Sequence, residues 1–428
     1  MMRKSPLVAR AAVAAALALG AAGTAFVAAP AVAKDAPAKE APPKLSKGFM
    51  AAAGPFQNEL NAIQKSKDVA QANALMAKWD ALVATAQTPD DKFYAGQFGV
   101  VISQVNKNTT LQAKALEQMV DSGKLAGPEL GKYAFYLGAT KLEVKDYAGA
   151  QAAFAKAQAA GATEAELPAL MAETYFSQGQ NPAGLDMLWK GIEARAAAGT
   201  PAPKEWYVRG LAVAYHDKNY PVAYKYALGN AQAYPSADNW GDAVSLARTA
   251  GKFQAQETLD VMRLALRAGA MREGSDYSEY VQSADPRRSP GEVLKVIDQG
   301  VKAGKLSNTD VFVTDARTQA QARLAADKAS LPGLERDARA PSATATTVMA
   351  AADTFLSYDD AAKAEALYQL ALAKPGVDAD RANTRLGIAQ ADLGKYAEAQ
   401  ASFAKVGGVR KPVADMWAIY VAQKAKGA

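Results

Sequence analysis

The sequence predicts an all-α protein, an α-solenoid of stacked helix-turn-helix units wound into a right-handed superhelix with a concave groove. Three observations carry that expectation. Residues 147–156 (YAGAQAAFAK) and 396–405 (YAEAQASFAK) agree at eight of ten positions across a gap of 249 residues, the mark of an internal repeat. Alanine supplies 100 of the 428 residues, which suits helices that approach closely. Strand signals are nearly absent, since Val311-Phe312-Val313 is too short to count.

Aligned outward from the two matching decapeptides, the repeat reads as a small residue, alanine twelve on, an aromatic four beyond, and a small residue three later. One copy is Gly138, Ala150, Phe154 and Ala157; another is Gly387, Ala399, Phe403 and Val406. Two more are Ala172, Gly184, Leu188, Gly191 and Ala352, Ala364, Tyr368, Ala371. Weaker copies fall at 92–125, 206–235 and 239–269. Within each unit, apolar residues recur at i, i+3 and i+4, as two amphipathic helices require. Such a unit cannot bury its faces alone, so the units are expected to stack.

This pattern resembles the tetratricopeptide repeat. Leu137-Gly138 and Leu386-Gly387 match its opening pair, Tyr175 and Phe355 its first aromatic, and Pro375 and Pro412 its closing proline. Lys141 and Gln390 depart from the first aromatic position. The resemblance covers about two thirds of the chain after residue 33 and implies a groove that holds a peptide or protein.

Taken in order, the chain opens with Arg3, Lys4 and Arg10, an apolar run from Ala11 to Ala29, Pro30 and the small-x-small stretch Ala31-Val32-Ala33. That is the layout of a secretory signal, with cleavage expected after Ala33 and a periplasmic or secreted product. Retention of the run as an anchor is the alternative. Residues 34–47 (KDAPAKEAPPKLSK) carry three prolines and one large apolar side chain, and read as a disordered tether. The N-terminal solenoid is expected over 48–269. Residues 270–345 break the rhythm at Pro286, Pro290, Pro332-Gly333 and Pro341, with helices at 292–303 and 315–329; they read as an elbow or as degenerate repeats. Residues 346–428 hold the last repeats and a capping helix. Glycines in Ser122-Gly123-Lys124-Leu125 and Ala303-Gly304-Lys305-Leu306 sit where left-handed helix caps are needed.

Composition excludes several chemistries. With no cysteine there is no disulfide, thiol nucleophile, iron–sulfur cluster or lipoprotein anchor, and one histidine cannot build a two-imidazole metal site. The net charge of +6 falls to +3 without residues 1–33, which is no nucleic-acid signature. Past the signal, no apolar run reaches the ~18 residues of a spanning helix. His216, between two predicted helices, has only Asp217 beside it and reads as a turn residue. Gly300-x3-Gly304-Lys305-Leu306 lacks the spacing and the hydroxyl of a phosphate loop. Ser402-x2-Lys405 has Ala153-x2-Lys156 as its repeat counterpart, so it reads as repeat surface.

No enzyme activity and no cofactor are therefore expected. Tyr207, Tyr215, Tyr220, Tyr224, Tyr226 and Tyr234, with Trp206 and Trp240, flank one repeat. Tyrosine gives contact area at low entropy cost, so Tyr207, Tyr215, Tyr220 and Tyr224 are candidate binding residues; filling gaps between helices is the other role they suit. Arg381 and Arg385, four apart on one helix face, are the second candidates. The family resemblance implies that basic residues there clamp a peptide's terminal carboxylate, although the asparagine and lysine of such a clamp are not evident. Salt bridging to Asp378 or Asp380 is the alternative. The expected function is a non-enzymatic protein-interaction scaffold with an unidentified protein or peptide partner, possible cell-envelope assembly, no nucleic acid and no integral membrane segment. The alternative is a cell-wall or glycan-associated factor, either a carbohydrate binder or a weak peptidoglycan-processing enzyme.

Overall fold

The computed structural model describes residues 43–427, and the expected signal peptide and the tether through residue 42 lie outside them. Among the described residues there are twenty α-helices, one 3-10 turn and no strand. None of these helices is long and apolar enough to cross a membrane. The chain forms two compact units that divide between Trp206 and Tyr207.

The first unit contains α1 (Lys47–Ser66), α2 (Val69–Val83), α3 (Pro89–Asn106), α4 (Thr109–Val120), α5 (Gly127–Glu143), α6 (Tyr147–Ala159), α7 (Leu167–Ser177) and α8 (Asn181–Ala197). Helix starts are set by side-chain caps: Asp68, Asn108 and Asp146 each accept a backbone N–H of the first turn, and Thr88 and Asp91 form a reciprocal capping box. The end of the tether is tied down here. Lys44 N–H donates to Asp90 at 2.7 Å and Ser46 N–H to Asp91 at 3.0 Å.

Consecutive helices pair as hairpins, and the packing inside each pair explains the repeat. The small residue and the aromatic, sixteen apart, meet across the hairpin. A Cβ added to Gly138 would lie 2.5 Å from the Phe154 ring, and one added to Gly387 would lie 2.5 Å from that of Phe403. The same separation joins Gly210 to Tyr226, whose ring fills the space a Cβ would need. Ala172 with Leu188 and Ala352 with Tyr368 hold equivalent places, all fully buried. In six of the hairpins the turn contains one left-handed residue: Lys107, Lys145, Gly179, Lys218, Asp359 and Gly394. Gly123 and Gly304 also adopt left-handed backbone, as their sequence context predicts. Because the ring beneath Gly138 and Gly387 has nowhere to go, Gly138→Val or Gly387→Val should each cost about 3 kcal/mol of stability. Urea unfolding monitored by circular dichroism checks this, and an unshifted midpoint would contradict the packing argument.

The second unit begins within α9 (Lys204–His216) and continues through α10 (Tyr220–Ala233), α11 (Ala237–Ala250), α12 (Ala255–Arg267), α13 (Gly274–Ala284), α14 (Pro290–Lys302), α15 (Val311–Ala338), α16 (Ala345–Ser357), α17 (Ala361–Leu372), α18 (Ala379–Asp392), α19 (Tyr396–Phe403), a 3-10 turn (Gly408–Arg410) and α20 (Lys411–Ala425). Two differences from the sequence expectation stand out. Residues 270–345 form α13 to α15 inside this unit, whereas the chain divides earlier, at 206/207. The expected helix at 315–329 is a single 28-residue helix that runs through Pro332. Pro332 is exposed, so the carbonyl it displaces can turn to water, and the helix continues past it.

This unit closes on itself. Gln423 Nε2 donates to the Ala231 carbonyl at 2.8 Å, Trp240 Nε1 to Gln423 Oε1 at 3.1 Å, and Trp417 Nε1 to the Asp260 carbonyl at 2.9 Å. Tyr420 Oη donates to the Arg267 carbonyl at 3.2 Å. The C-terminal helix is therefore seated against α10, α11 and α12, more than 150 residues earlier in the chain.

Candidate binding cleft

Helix α12 is buried almost all round, from Glu257 to Ala265, although it carries Asp260 and Arg263. An ionised group there is tolerable only if it is paired and hydrogen-bonded. Asp260 has no exposed side-chain surface and accepts from three guanidinium groups: Arg385 Nε at 3.1 Å, Arg263 Nη1 at 3.1 Å and Arg410 Nη1 at 2.8 Å. Each arginine has a further acid. Arg263 clasps both oxygens of Glu292 at 2.8 and 2.7 Å, Arg410 meets Glu257 at 2.8 Å, and Arg385 meets Asp353 at 2.7 Å. Tyr280 donates to Glu292 at 2.8 Å and Tyr368 to Asp353 at 2.7 Å.

Burial alone would raise the pKa of Asp260, but Arg385, Arg263 and Arg410 outweigh it and hold the carboxyl below its ordinary value. Burial is likewise outweighed at Glu292 by Arg263, and at Asp353 by Arg385 and Arg381. Folded-state values below the unfolded ones, near 4, mean that these groups stabilise the fold above that pH. The contribution is lost as pH falls through the lower, folded values. Urea midpoints should accordingly hold from pH 7 to about 5 and drop below about 4, with a shallower drop in Asp260→Asn. An equal slope in the variant would show that Asp260 does not carry the linkage.

Beside this network, helices from distant parts of the second unit enclose a cleft of about 570 Å³. One face of α14 lines it with Glu292, Lys295, Val296 and Gln299, spaced i, i+3, i+4 and i+7. Opposite lie Leu356, Asp359, Asp360 and the start of α17, with Arg267 and Leu266 from α12 and Asp392 and Leu393 from α18. Two ion pairs cross between helices at this cleft. Lys295 Nζ is 2.8 Å from both oxygens of Asp359, and Arg267 meets Asp392 through Nε at 2.7 Å and Nη2 at 2.6 Å. Asp359 is held in left-handed backbone at the turn between α16 and α17.

The residues singled out from sequence fall in separate places. Arg381 and Arg385 do come together, on Asp353 rather than on Asp378 or Asp380. Arg385 is 1% exposed and also donates to Gln256, so its guanidinium is enclosed within the chain. Tyr207 is buried and lies edge-on to Tyr234, and burial raises its hydroxyl pKa. Tyr224 reaches the Pro412 carbonyl at 3.4 Å, at the seam with the C-terminal helix. Tyr215, 59% exposed, and half-buried Tyr220 meet edge to face at 5.9 Å. None of the six lines the cleft. His216 ends α9 with its side chain in solvent, 3.1 Å from Asp217. Among the described residues no group of His, Asp and Glu could hold a metal ion.

Sequence reading missed Asp260, Arg263, Arg410 and the residues lining the cleft. The sequence hides them, because Gln256, Asp260, Arg263 and Arg267 line one face of α12 with Glu257 beside them and so read as an ordinary solvated stripe.

No protein-family model matches the chain, and no curated protein matches it. Solved structures with similar helical arrangement include the TPR2AB-domain:pHSP90 complex of yeast Sti1, at 14% identity and a TM-score of 0.25, covering 70% of this chain and 97% of that one. Another is Naa15/Naa10 bound to HypK-THB, at 15% identity and a TM-score of 0.38, covering 89% and 70%. Both overlaps are low, and the fold assignment rests on the hairpins themselves. With small residue and aromatic meeting across one hairpin after another, the chain is an α-solenoid of tetratricopeptide-like repeats.

Proposed function

We propose that the protein is an exported, non-enzymatic scaffold that holds a peptide or protein partner in the cleft of its C-terminal unit. The cleft carries this reading: it is large enough for a peptide segment, has apolar walls at Leu266, Val296 and Leu356, and presents charged groups at fixed positions. A rigid wall of helices suits recognition because little order has to be imposed on binding. What supports export is the sequence alone, in the basic, apolar and small-x-small order of residues 1–33. N-terminal sequencing of the protein recovered from envelope and medium fractions tests it, with Lys34 expected first.

The binding reading is tested by placing a photocrosslinking amino acid at Ala362, in the cleft, and at Val311, which is 76% exposed and does not line it. A discrete adduct from position 362 and none from 311 is the expected outcome. Adducts of equal yield from both positions, or from neither, would refute the cleft as the partner site. Exposed Tyr215, edge to face with half-buried Tyr220, favours a second reading, glycan binding through ring stacking. Co-sedimentation with purified peptidoglycan that is lost in Tyr215→Ala would support it, and no co-sedimentation would remove it.

A further inference from the structure

From the balance of donors and acceptors in the cleft, we infer that it takes a cationic side chain, lysine or arginine, from a partner peptide; this rests on the cleft being the partner site. Four carboxylates line it, Glu292, Asp359, Asp360 and Asp392, against two cations, Arg267 and Lys295. Internal pairing uses these unevenly. Glu292 is taken by Arg263 from behind, and Arg267 is spent on Asp392 and on the Arg263 carbonyl. Asp360 caps α17 through Oδ1, which accepts the Lys363 N–H at 3.2 Å, and its Oδ2 is left with a distant cation, Lys363 Nζ at 3.7 Å, which lies closer to Glu335 at 3.2 Å. The Gln299 Oε1 atom is buried and has no donor. Unmet capacity in the cleft is thus acceptor capacity, and it calls for a ligand that donates.

Lys295 shows the geometry such a ligand would adopt. Its ammonium group bridges to Asp359 while about half of its side chain stays exposed, so it can yield to a competing cation. The aliphatic stem of an incoming lysine or arginine would lie along Leu266, Val296 and Leu356, with its head at Asp359 and Asp360.

The test is fluorescence anisotropy of the chain from Lys34 onward with labelled short alanine-rich peptides bearing a central lysine, arginine, norleucine or glutamate. Lysine and arginine peptides should bind about tenfold more tightly than the norleucine peptide. Asp359→Asn and Asp360→Asn should each weaken that binding about tenfold, and Lys295→Met should tighten it by removing the internal competitor. Asparagine keeps the helix cap at 360 and tolerates the left-handed backbone at 359, so melting temperatures should barely change. Equal binding of the norleucine peptide, or no effect of either asparagine variant, would overturn the inference. Preference for the glutamate or norleucine peptide would overturn it while leaving the scaffold reading intact. Silence from every peptide would defeat both. Free cadaverine binding more tightly than the lysine peptide would overturn a peptide as the source of the cation.

Discussion

Asp260→Asn should destabilise the C-terminal unit by about 3 kcal/mol, and the reason is charge balance rather than loss of one contact. Four acids (Asp260, Glu257, Glu292, Asp353) and four arginines (Arg263, Arg381, Arg385, Arg410) share this network, so the wild-type arrangement is neutral. Asparagine is nearly isosteric and its amide oxygen still accepts one guanidinium N–H. It leaves a net positive charge at a position with no solvent access, where screening is weak. Arg263, Arg385 and Arg410 each retain one acid, so the loss belongs at the lower end of the cost of breaking a buried pair. A drop in melting temperature on the order of 10 °C follows for a unit of this size. Removing a neighbouring positive charge should return part of it, making Asp260→Asn with Arg385→Gln less destabilising than the sum of the two. Additivity within about 0.5 kcal/mol would mean that the two groups are not coupled.

The same network marks where sequence reading stops. The hairpins were legible because their cause is local: Gly138 with Phe154 and Gly387 with Phe403 lie sixteen residues apart, and the ring that needs the gap is in the same unit as the glycine that leaves it. The left-handed helix ends at Gly123 and Gly304 were legible for the same reason, whereas those at Lys107, Lys145, Lys218 and Asp359 carry no glycine to announce them. Arg385 was legible as an arginine on a helix face, but its partner Asp260 is 125 residues away, and nothing near either residue specifies the other. The cleft has the same origin. Its walls come from helices spread between Leu266 and Leu393, and they converge because α18, the 3-10 turn and α20 return to α12. Pro332 misled for the opposite reason, since a local breaker was overridden by an exposed setting that lets the helix absorb it.

That return hangs on Trp417, and Trp417→Ala should cost about 3–5 kcal/mol. The side chain is fully buried, stacks on Phe403 with ring centroids 6.1 Å apart, meets Tyr420 edge-on at 5.8 Å and lies under the Arg267 guanidinium at 5.5 Å. Its indole N–H also satisfies the Asp260 carbonyl, in the first part of the unit, so one residue joins the end of the chain to the centre of the ion network. Alanine opens a cavity and removes the indole's added hydrogen bond to a carbonyl that the helix already engages, whereas Trp417→Phe keeps most of the stacking and should cost about 1–3 kcal/mol for the smaller ring and the lost bond. Hydrogen exchange distinguishes seam loss from general softening. Protection in Trp417→Ala should fall first in α20 and at the α10 to α12 segments it covers, with α16 and α17 following only as global unfolding becomes accessible. Tyr215→Ala, at an exposed edge of the same unit, should stay within about 0.5 kcal/mol of wild type. If Trp417→Ala behaved the same way, the C-terminal helix would be an appendage, and the cleft would have to keep its shape without the closure that forms it.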